Sequence, residues 1–265
     1  MILRTFALAC FLAPAALHAQ SPGDTVRGHP AEHHEHGEHH HDGLHFSHPL
    51  VTESVSPDTK VRVDYARTGG GGESELEMEG EYAFTRSFSI EAGLGYDLAE
   101  SAASEAEIAA KLAHYGWEER GILVGGGVLV GIPLRSEAVA GVEEEERAAE
   151  VAPFVHGGLR AGGWELTAIT RLGFTPADTD AGTRLGVNAS ALYHLTPRIE
   201  TMLEYQGAAG LSGEASGSSA QAVAPGLKVR PFEAAPGLAV GASMLVPFSG
   251  AGFDARLLLS TFYHF

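Results

Sequence analysis

The sequence predicts an all-β fold, a transmembrane antiparallel up-and-down β-barrel of about twelve strands that follows a signal peptide and a flexible His-rich arm. From Lys60 to Phe265, apolar and polar residues alternate in segments separated by turn-forming residues. Alternating segments of about ten residues suit tilted strands that cross a bilayer. No apolar run reaches the ~18 residues that a membrane-spanning helix requires. These three observations together favour a barrel.

Residues 1–19 are predicted to form an export signal. Arg4 supplies a positive charge, an apolar run extends from Thr5 to Ala16, and Leu17-His18-Ala19 forms a plausible cleavage site. Cys10, the only cysteine, lies inside this segment. The mature chain is therefore expected to have no disulfide, so hydrogen bonds and burial must stabilise it.

Residues 20–58 are predicted to form a mobile or loosely docked periplasmic arm, because this stretch is rich in His, Pro, Gly and acid without a sustained period. Its candidate metal ligands are His29, His33, His34, His36, His39, His40, His41, His45 and His48. Imidazole beside carboxylate suits Zn, Ni, Cu or Co, and a flexible tract predicts weak binding of several ions. The alternative is a solvated spacer without a metal role. No obligatory cofactor is expected.

The chain is acidic, with a formal net charge of −17 at pH 7. Such a balance disfavours nucleic acid as a partner, since the phosphate backbone attracts basic surfaces. The same balance is compatible with cationic partners.

Residues 59–265 are predicted to form the barrel, with apolar faces towards outer-membrane lipid. The predicted strands are 59–67, 74–84, 87–97, 105–115, 121–134, 149–160, 164–174, 183–195, 199–207, 221–230, 238–248 and 253–265. The fifth is apolar on both faces and the sixth is ambiguous, because Phe154 and Val155 are both large. Short connections alternate with longer ones, which is typical of periplasmic turns and outer loops.

The opposite faces of these strands carry charged residues, which we expect to line the lumen. They are Glu75, Glu77, Glu79, Glu81, Glu91, Glu105, Glu107, Lys111, Glu165, Arg171, Glu200, Glu204, Lys228, Arg230 and Arg256, with Lys60 and Arg62 beside them. Two outcomes are open. Opposite charges could pair into a ladder that fills the bore, or they could line a wet, cation-favouring passage.

The last thirteen residues show the strictest alternation in the chain. Tyr263 and Phe265 lie on an apolar face, whereas His264 and Arg256 lie on the other. This pattern resembles the closing strand of bacterial outer-membrane barrels, in which the strand is also the signal for the assembly machinery. The resemblance implies that Tyr263 and Phe265 form an assembly signal. The alternative is the edge strand of a soluble sheet.

Four further histidines lie near strand ends on the predicted periplasmic side. His194 and His264 are expected to point inward, His114 outward, and His156 is uncertain. One hypothesis is a metal-collecting periplasmic mouth formed by the inward pair and the arm; the alternative is chance clustering.

No nucleophile motif is present and Asn188 is the only Asn, so we do not expect an enzyme.

The junction of arm and barrel carries a resemblance to a family. Residues 39–50, Thr52-Glu53-Ser54 and residues 56–60 resemble a stretch in the phenol-degradation (MetA-pathway) outer-membrane protein group. The resemblance implies passage of a small molecule across the outer membrane. Together with the His-rich arm, it leads us to expect a monomeric channel or transporter for a small solute, either a hydrophobic compound or a divalent metal. The alternative is a non-conducting barrel that buffers or senses metal. On either interpretation, residues 54–59 could form a short plug in the periplasmic mouth.

Overall fold

The computed structural model describes residues 43–70, 73–134, 149–176, 182–213, 216–249 and 254–265. The predicted signal peptide and residues 20–42 of the predicted arm lie outside this described part. So does most of the long connection between the fifth and sixth strands. The described residues contain no helix that is both long and apolar enough to cross a membrane.

The predicted fold class is confirmed: twelve antiparallel strands form one closed barrel. The strands are β1 Lys60–Thr68, β2 Ser74–Thr85, β3 Phe88–Asp97, β4 Ala102–Trp117, β5 Ile122–Pro133, β6 Glu150–Ala161, β7 Trp164–Phe174, β8 Thr183–Thr196, β9 Ile199–Gly210, β10 Ser219–Val229, β11 Leu238–Ser249 and β12 Arg256–His264. Each strand pairs with its sequence neighbours, so the connections are all between adjacent strands.

The first and last strands close the barrel. β1 pairs with β12 from Lys60 opposite His264 to Thr68 opposite Arg256. The backbone N–H of Phe265 also donates to the carbonyl of Thr59 at 3.1 Å. Closure leaves no edge strand with unpaired backbone groups, which is the condition for a sheet in lipid.

The two ends of the barrel differ. One end holds the start of β1 and the end of β12, and we call it the terminal end. Its connections include residues 86–87, 162–163 and 197–198, which are short. The other end, the loop end, includes the long 134–149 connection. This asymmetry matches the predicted alternation of short turns and longer loops.

The outer surface of the barrel is apolar. Large exposed side chains on it include Val61, Val63, Met78, Ile90, Ile108, Leu112, Val128, Leu203, Leu227, Met244, Leu257 and Leu259. A soluble protein rarely exposes a continuous apolar surface of this kind, whereas lipid would cover it. Aromatic rings gather near the terminal end, where the Trp164 and Tyr193 rings are 4.8 Å apart and the Tyr263 and Phe265 rings 5.0 Å apart.

The structure resolves the ambiguous facing of β6. Phe154 is 5 % exposed and points into the lumen, whereas Val155 is 63 % exposed and points outward. Phe154 belongs to an interior apolar cluster with Leu129 of β5 and Ile169 of β7. The neighbouring strands thus decide the facing, which the sequence of β6 alone does not.

Residues 43–58 belong to the stretch predicted to be a mobile or loosely docked arm, and they include most of the 54–59 segment that was expected to form a short plug. They enter the lumen at the terminal end, turn, and return to the start of β1, and we call them the plug segment. Phe46, Leu50, Val55 and Ser56 within it are fully buried. The Phe46 N–H donates to Ser56 Oγ at 3.0 Å, which joins the ingoing and outgoing halves.

Candidate functional site: the plug segment in the lumen

Three apolar side chains anchor the plug segment against the wall. Phe46 and Val55 belong to the interior cluster of Leu129, Phe154 and Ile169, and Leu50 packs with a second cluster around Phe262. Their burial removes apolar area from water, which stabilises the docked segment by ~1.5–3 kcal/mol for each fully buried side chain.

Lumen-facing glycines make room for these anchors. A Cβ added at Gly158 would lie 2.7 Å from the Phe46 ring, and one at Gly226 would lie 3.0 Å from Leu50. Glycine inside a strand often marks a close approach of another group, and here that group is the plug segment.

Glu204 of β9 is fully buried and binds the backbone of the plug segment. Its carboxylate accepts hydrogen bonds from three consecutive backbone N–H groups: those of Leu50 and Val51 at 3.0 Å and that of Thr52 at 2.6 Å. Successive N–H groups that converge in this way form an anion-binding concavity. Glu204 therefore fixes the turn of the plug segment to the wall.

Charged side chains hold the rest of the segment. Arg171 pairs with Glu53. Lys228 Nζ donates to the His48 carbonyl at 2.6 Å. Ser47 N–H donates to Glu165 at 2.7 Å. These contacts join the plug segment to β7 and β10, so several strands contribute to its binding.

An ionic network on β1 to β4 lies beside the segment, and its Glu81 accepts a hydrogen bond from the Asp58 N–H at 3.3 Å. Lys111 Nζ is 3.2 Å from both Glu81 and Glu91, and Lys60 Nζ is 3.2 Å from Glu81. Lys60 also pairs with Glu79. Pairing makes the burial of these charges tolerable, because an isolated buried charge would be strongly disfavoured.

A histidine cluster lies where the plug segment meets the terminal end. Three imidazole nitrogens approach Asp58 Oδ2: His264 Nδ1 at 2.6 Å, His48 Nε2 at 3.0 Å and His45 Nε2 at 3.4 Å. Burial lowers the pKa of His48 well below its usual 6.5. Burial alone would raise the pKa of Asp58, but hydrogen bonds from His264, His45 and His48 outweigh it and hold that pKa below its ordinary value.

The other candidate histidines lie elsewhere. His194 contacts Glu165 at 3.1 Å and Glu200 at 3.6 Å, so the two inward histidines, His194 and His264, contact different carboxylates. His156 is buried, and its Nε2 lies 3.0 Å from the Leu112 carbonyl. His114 is exposed on the outer surface.

Of the nine candidate metal ligands in the arm, only His45 and His48 belong to the part of the chain that the structure describes, and both are in the cluster at Asp58. The other seven lie outside it.

The predicted lumen residues do occupy inward positions. Glu81, Glu91, Lys111, Glu165, Arg171, Glu200, Glu204 and Lys228 are buried, while Glu75, Glu77, Glu79, Glu105, Glu107, Arg230 and Arg256 are more accessible.

Sequence reasoning assigned no specific contact to four residues of the site, Phe46, Leu50, Glu53 and Asp58, although Asp58 lies in the 54–59 segment that was expected to form a short plug. Two sequence features do indicate the docking of Phe46 and Leu50. Both are apolar residues in a polar stretch, and glycines interrupt the lumen-facing sides of β6, β10 and β11, where another group can approach closely. The hypothesis of a periplasmic mouth placed His264 beside the arm, but no sequence pattern identified Asp58, 206 positions away, as its partner.

An open recess lies at the loop end of the lumen. Its lining includes Glu150, Arg171 and Arg184. Charged side chains thus continue from the plug segment towards the loop end. The arrangement combines this recess with a bound segment inside the lumen.

Comparison with known proteins gives fold neighbours and no family. No protein-family model matches the chain, and no curated protein is significantly similar in sequence. The resemblance of residues 39–60 to the phenol-degradation group therefore stays a prediction.

Among solved structures, the COG4313 outer membrane channel from Pseudomonas putida F1 aligns with a TM-score of 0.61 at 13 % identity, covering 86 % of this chain and 100 % of that one. The KdgM porin in complex with disordered oligogalacturonate has a TM-score of 0.58 at 10 % identity, with 78 % and 99 % covered. The NanC porin has 0.56 at 10 %, with 78 % and 98 % covered. The fold is that of outer-membrane porin-like barrels. At these identities the likeness concerns the fold alone.

Proposed function

We propose that this protein is an outer-membrane channel for a small solute, and that the plug segment controls its bore. The observation that carries the proposal is the binding of residues 43–58 inside an otherwise charged lumen through side-chain hydrogen bonds and ion pairs. Such contacts can break and re-form without loss of the barrel, because the strand ladder does not include them. Structural neighbours described as channels and porins support the proposal.

The lumen chemistry favours a small polar or cationic solute. Carboxylates of β2 and β4 line the accessible loop side, namely Glu75, Glu77, Glu105 and Glu107. Twelve strands enclose a space between that of the side-chain-filled eight-stranded barrels and that of the open sixteen-stranded porins. A passage of that size with a polar wall suits single small molecules or hydrated ions.

The apolar exterior and the aromatic rings near the terminal end support insertion in the outer membrane, with lipid around a single barrel. The terminal end would face the periplasm, because short turns lie on that side in barrels of this class. Passive transport requires no catalytic group, and we propose no enzymatic activity.

The experiment is single-channel conductance in planar bilayers, with the wild type compared with a chain that lacks residues 43–58. We expect a closed or rarely open wild type and frequent, larger openings in the deletion variant. A chain that lacks residues 20–42 instead is the matched control, and it should conduct like the wild type.

Folding is checked separately by electrophoretic mobility, which changes on heating for a folded barrel. A deletion variant that is folded by this test and still silent would overturn the channel proposal.

That silent outcome would favour the alternative, a non-conducting barrel with a metal-related or structural role. The observation behind the alternative is the dense pairing of buried charges such as Lys111 with Glu81 and Glu91. If these pairs fill the lumen by themselves, removal of the plug segment opens nothing.

A further inference from the structure

The cluster around Asp58 has the composition of a metal site. His45, His48 and Asp58 each offer one ligand atom, and these atoms all lie within 4.8 Å of one another. His264 adds a third imidazole, whose ring centroid is 4.9 Å from that of His48. Imidazole and carboxylate are ligands that zinc and neighbouring transition metals prefer.

The spacing suits a tetrahedral ion. Zinc bonds to nitrogen and oxygen are ~2.0–2.1 Å long, so two ligand atoms of a tetrahedral site lie ~3.3 Å apart. Asp58 Oδ2 is 3.0 Å from His48 Nε2 and 3.4 Å from His45 Nε2. His264 Nδ1 is closer, at 2.6 Å from Asp58 Oδ2, so these two side chains must rotate apart before both can bind one ion.

Another cluster of three acidic groups, Glu79, Glu81 and Glu91, does not compete as a metal site. Lys60 and Lys111 already neutralise it at short range. At Asp58 the neighbours are imidazoles, which bind a metal when neutral and need not be displaced. The cluster at Asp58 is therefore the better candidate for a metal site, whereas the three glutamates belong to a paired ionic network.

We propose that His45, His48, Asp58 and His264 form a site for one divalent transition-metal ion, preferentially Zn²⁺, that fastens the plug segment to β12. His45 and His48 belong to the plug segment, Asp58 joins it to β1, and His264 is the penultimate residue of the chain. One ion therefore links the segment to the seam where the first and last strands meet.

The sequence provides a source for the ion. The histidine tract that ends at His41 lies four residues before His45. Several weak ligands next to a stronger site raise the local metal concentration, which is an effective-concentration effect. In this proposal the tract delivers ions to the site at Asp58. The tract histidines then concentrate the metal, whereas the histidines at Asp58 hold it.

The test uses the full mature chain with the seven histidines before residue 42 changed to Ser, so that the tract cannot bind metal. We expect one Co²⁺ per folded chain with the visible absorption of a tetrahedral site, displaced by Zn²⁺. His45→Ala, with a ring that is 43 % exposed, removes a ligand with little loss of packing. It should abolish the Co²⁺ spectrum, and His264→Ala, which removes another proposed ligand, should do the same. His114→Ala on the outer surface is the matched control and should bind normally.

Hydrogen exchange of residues 43–58 supplies a second measurement. Zn²⁺ should slow exchange of these amides in the tract-substituted chain, and His45→Ala should remove the effect. The proposal is overturned if that chain, shown to be folded by its heat-shifted mobility, binds no Co²⁺ saturably. It is also overturned if His45→Ala and Asp58→Asn both leave binding unchanged. Neither measurement involves conductance, so failure here is distinct from failure of the proposed channel function.

Discussion

At the scale of single residues, Glu204 carries the densest set of contacts to the plug segment. A buried carboxylate is disfavoured by loss of hydration unless hydrogen bonds replace water. Three N–H groups of residues 50–52 do so here. The carboxylate and the turn stabilise each other, because without Glu204 the N–H groups of residues 50–52 would lose their acceptor.

We expect Glu204→Gln to loosen the plug segment while the barrel stays assembled. Hydrogen bonds to a charged group contribute ~1.5–3 kcal/mol, so loss of the charge should raise amide exchange in residues 50–53 by about tenfold or more. Hydrogen exchange with mass spectrometry measures this change. Glu119→Gln, at an exposed position in the connection after β4, is the control. Unchanged exchange in Glu204→Gln would show that Glu204 does not hold the segment.

The contact between Phe46 and Gly158 leads to a second prediction. Gly158→Ala places a methyl group where the Phe46 ring lies, and overpacking of this kind costs ~1–3 kcal/mol. We expect faster exchange in the plug segment, and partial recovery in the double variant Gly158→Ala with Phe46→Leu, because the two sites are coupled. Gly80→Ala is the control, since a Cβ there meets nothing within 4 Å. Equal effects at Gly158 and Gly80 would exclude the steric explanation.

At the scale of elements, alternation predicted the barrel strands closely because each strand separates two different environments. β7 begins at Trp164 and ends at Phe174, as the sequence predicted. The predicted strand ends were wrong where residues of the connections continue the pairing. β4, for example, runs from Ala102 to Trp117, whereas the prediction was 105–115. The local period decides that a strand exists, whereas its neighbours decide where it ends.

Most of the plug segment was beyond this kind of prediction, since only residues 54–59 were expected to form a plug. Residues 43–58 have no period, because their contacts are made one by one with different strands. Leu50 meets Glu204, and Ser47 meets Glu165, over sequence separations of 154 and 118 positions. Composition alone therefore placed the segment with the arm, although it belongs with the lumen.

The terminal strand carries a prediction about assembly. The Phe265 side chain is exposed at the terminal end, and its N–H completes the pairing of β12 with β1 through Thr59. If Phe265 is part of the assembly signal, Phe265→Ala should lower the amount of heat-shifted barrel in the membrane fraction several-fold. Phe232→Ala, at an exposed position in a terminal-end connection, is the control. Equal yields for the two variants would contradict a signalling role.

At the scale of the whole molecule, charge is sorted between the inside and the outside. The outer surface is apolar, so the charged side chains of the strands are concentrated in the lumen, where carboxylates outnumber cationic groups. The plug segment adds Glu53 and Asp58 to that interior, and both have cationic or imidazole partners. Low-dielectric walls strengthen the field of such charges along the bore.

This distribution predicts the ion selectivity of the unplugged barrel. With residues 43–58 deleted, the carboxylates of β2 and β4 should make K⁺ more permeant than Cl⁻, as the reversal potential in a KCl gradient will show. Changing Glu77 and Glu107 together to Gln should reduce the preference, since both lie on the accessible loop side.

The preference should also weaken at high salt, because the screening length falls from ~10 Å at 0.1 M to ~3 Å at 1 M. Glu119→Gln, outside the bore, should leave the reversal potential unchanged. A preference for Cl⁻ would instead assign control of the passage to Arg171 and Arg184, which line the recess on the opposite strands.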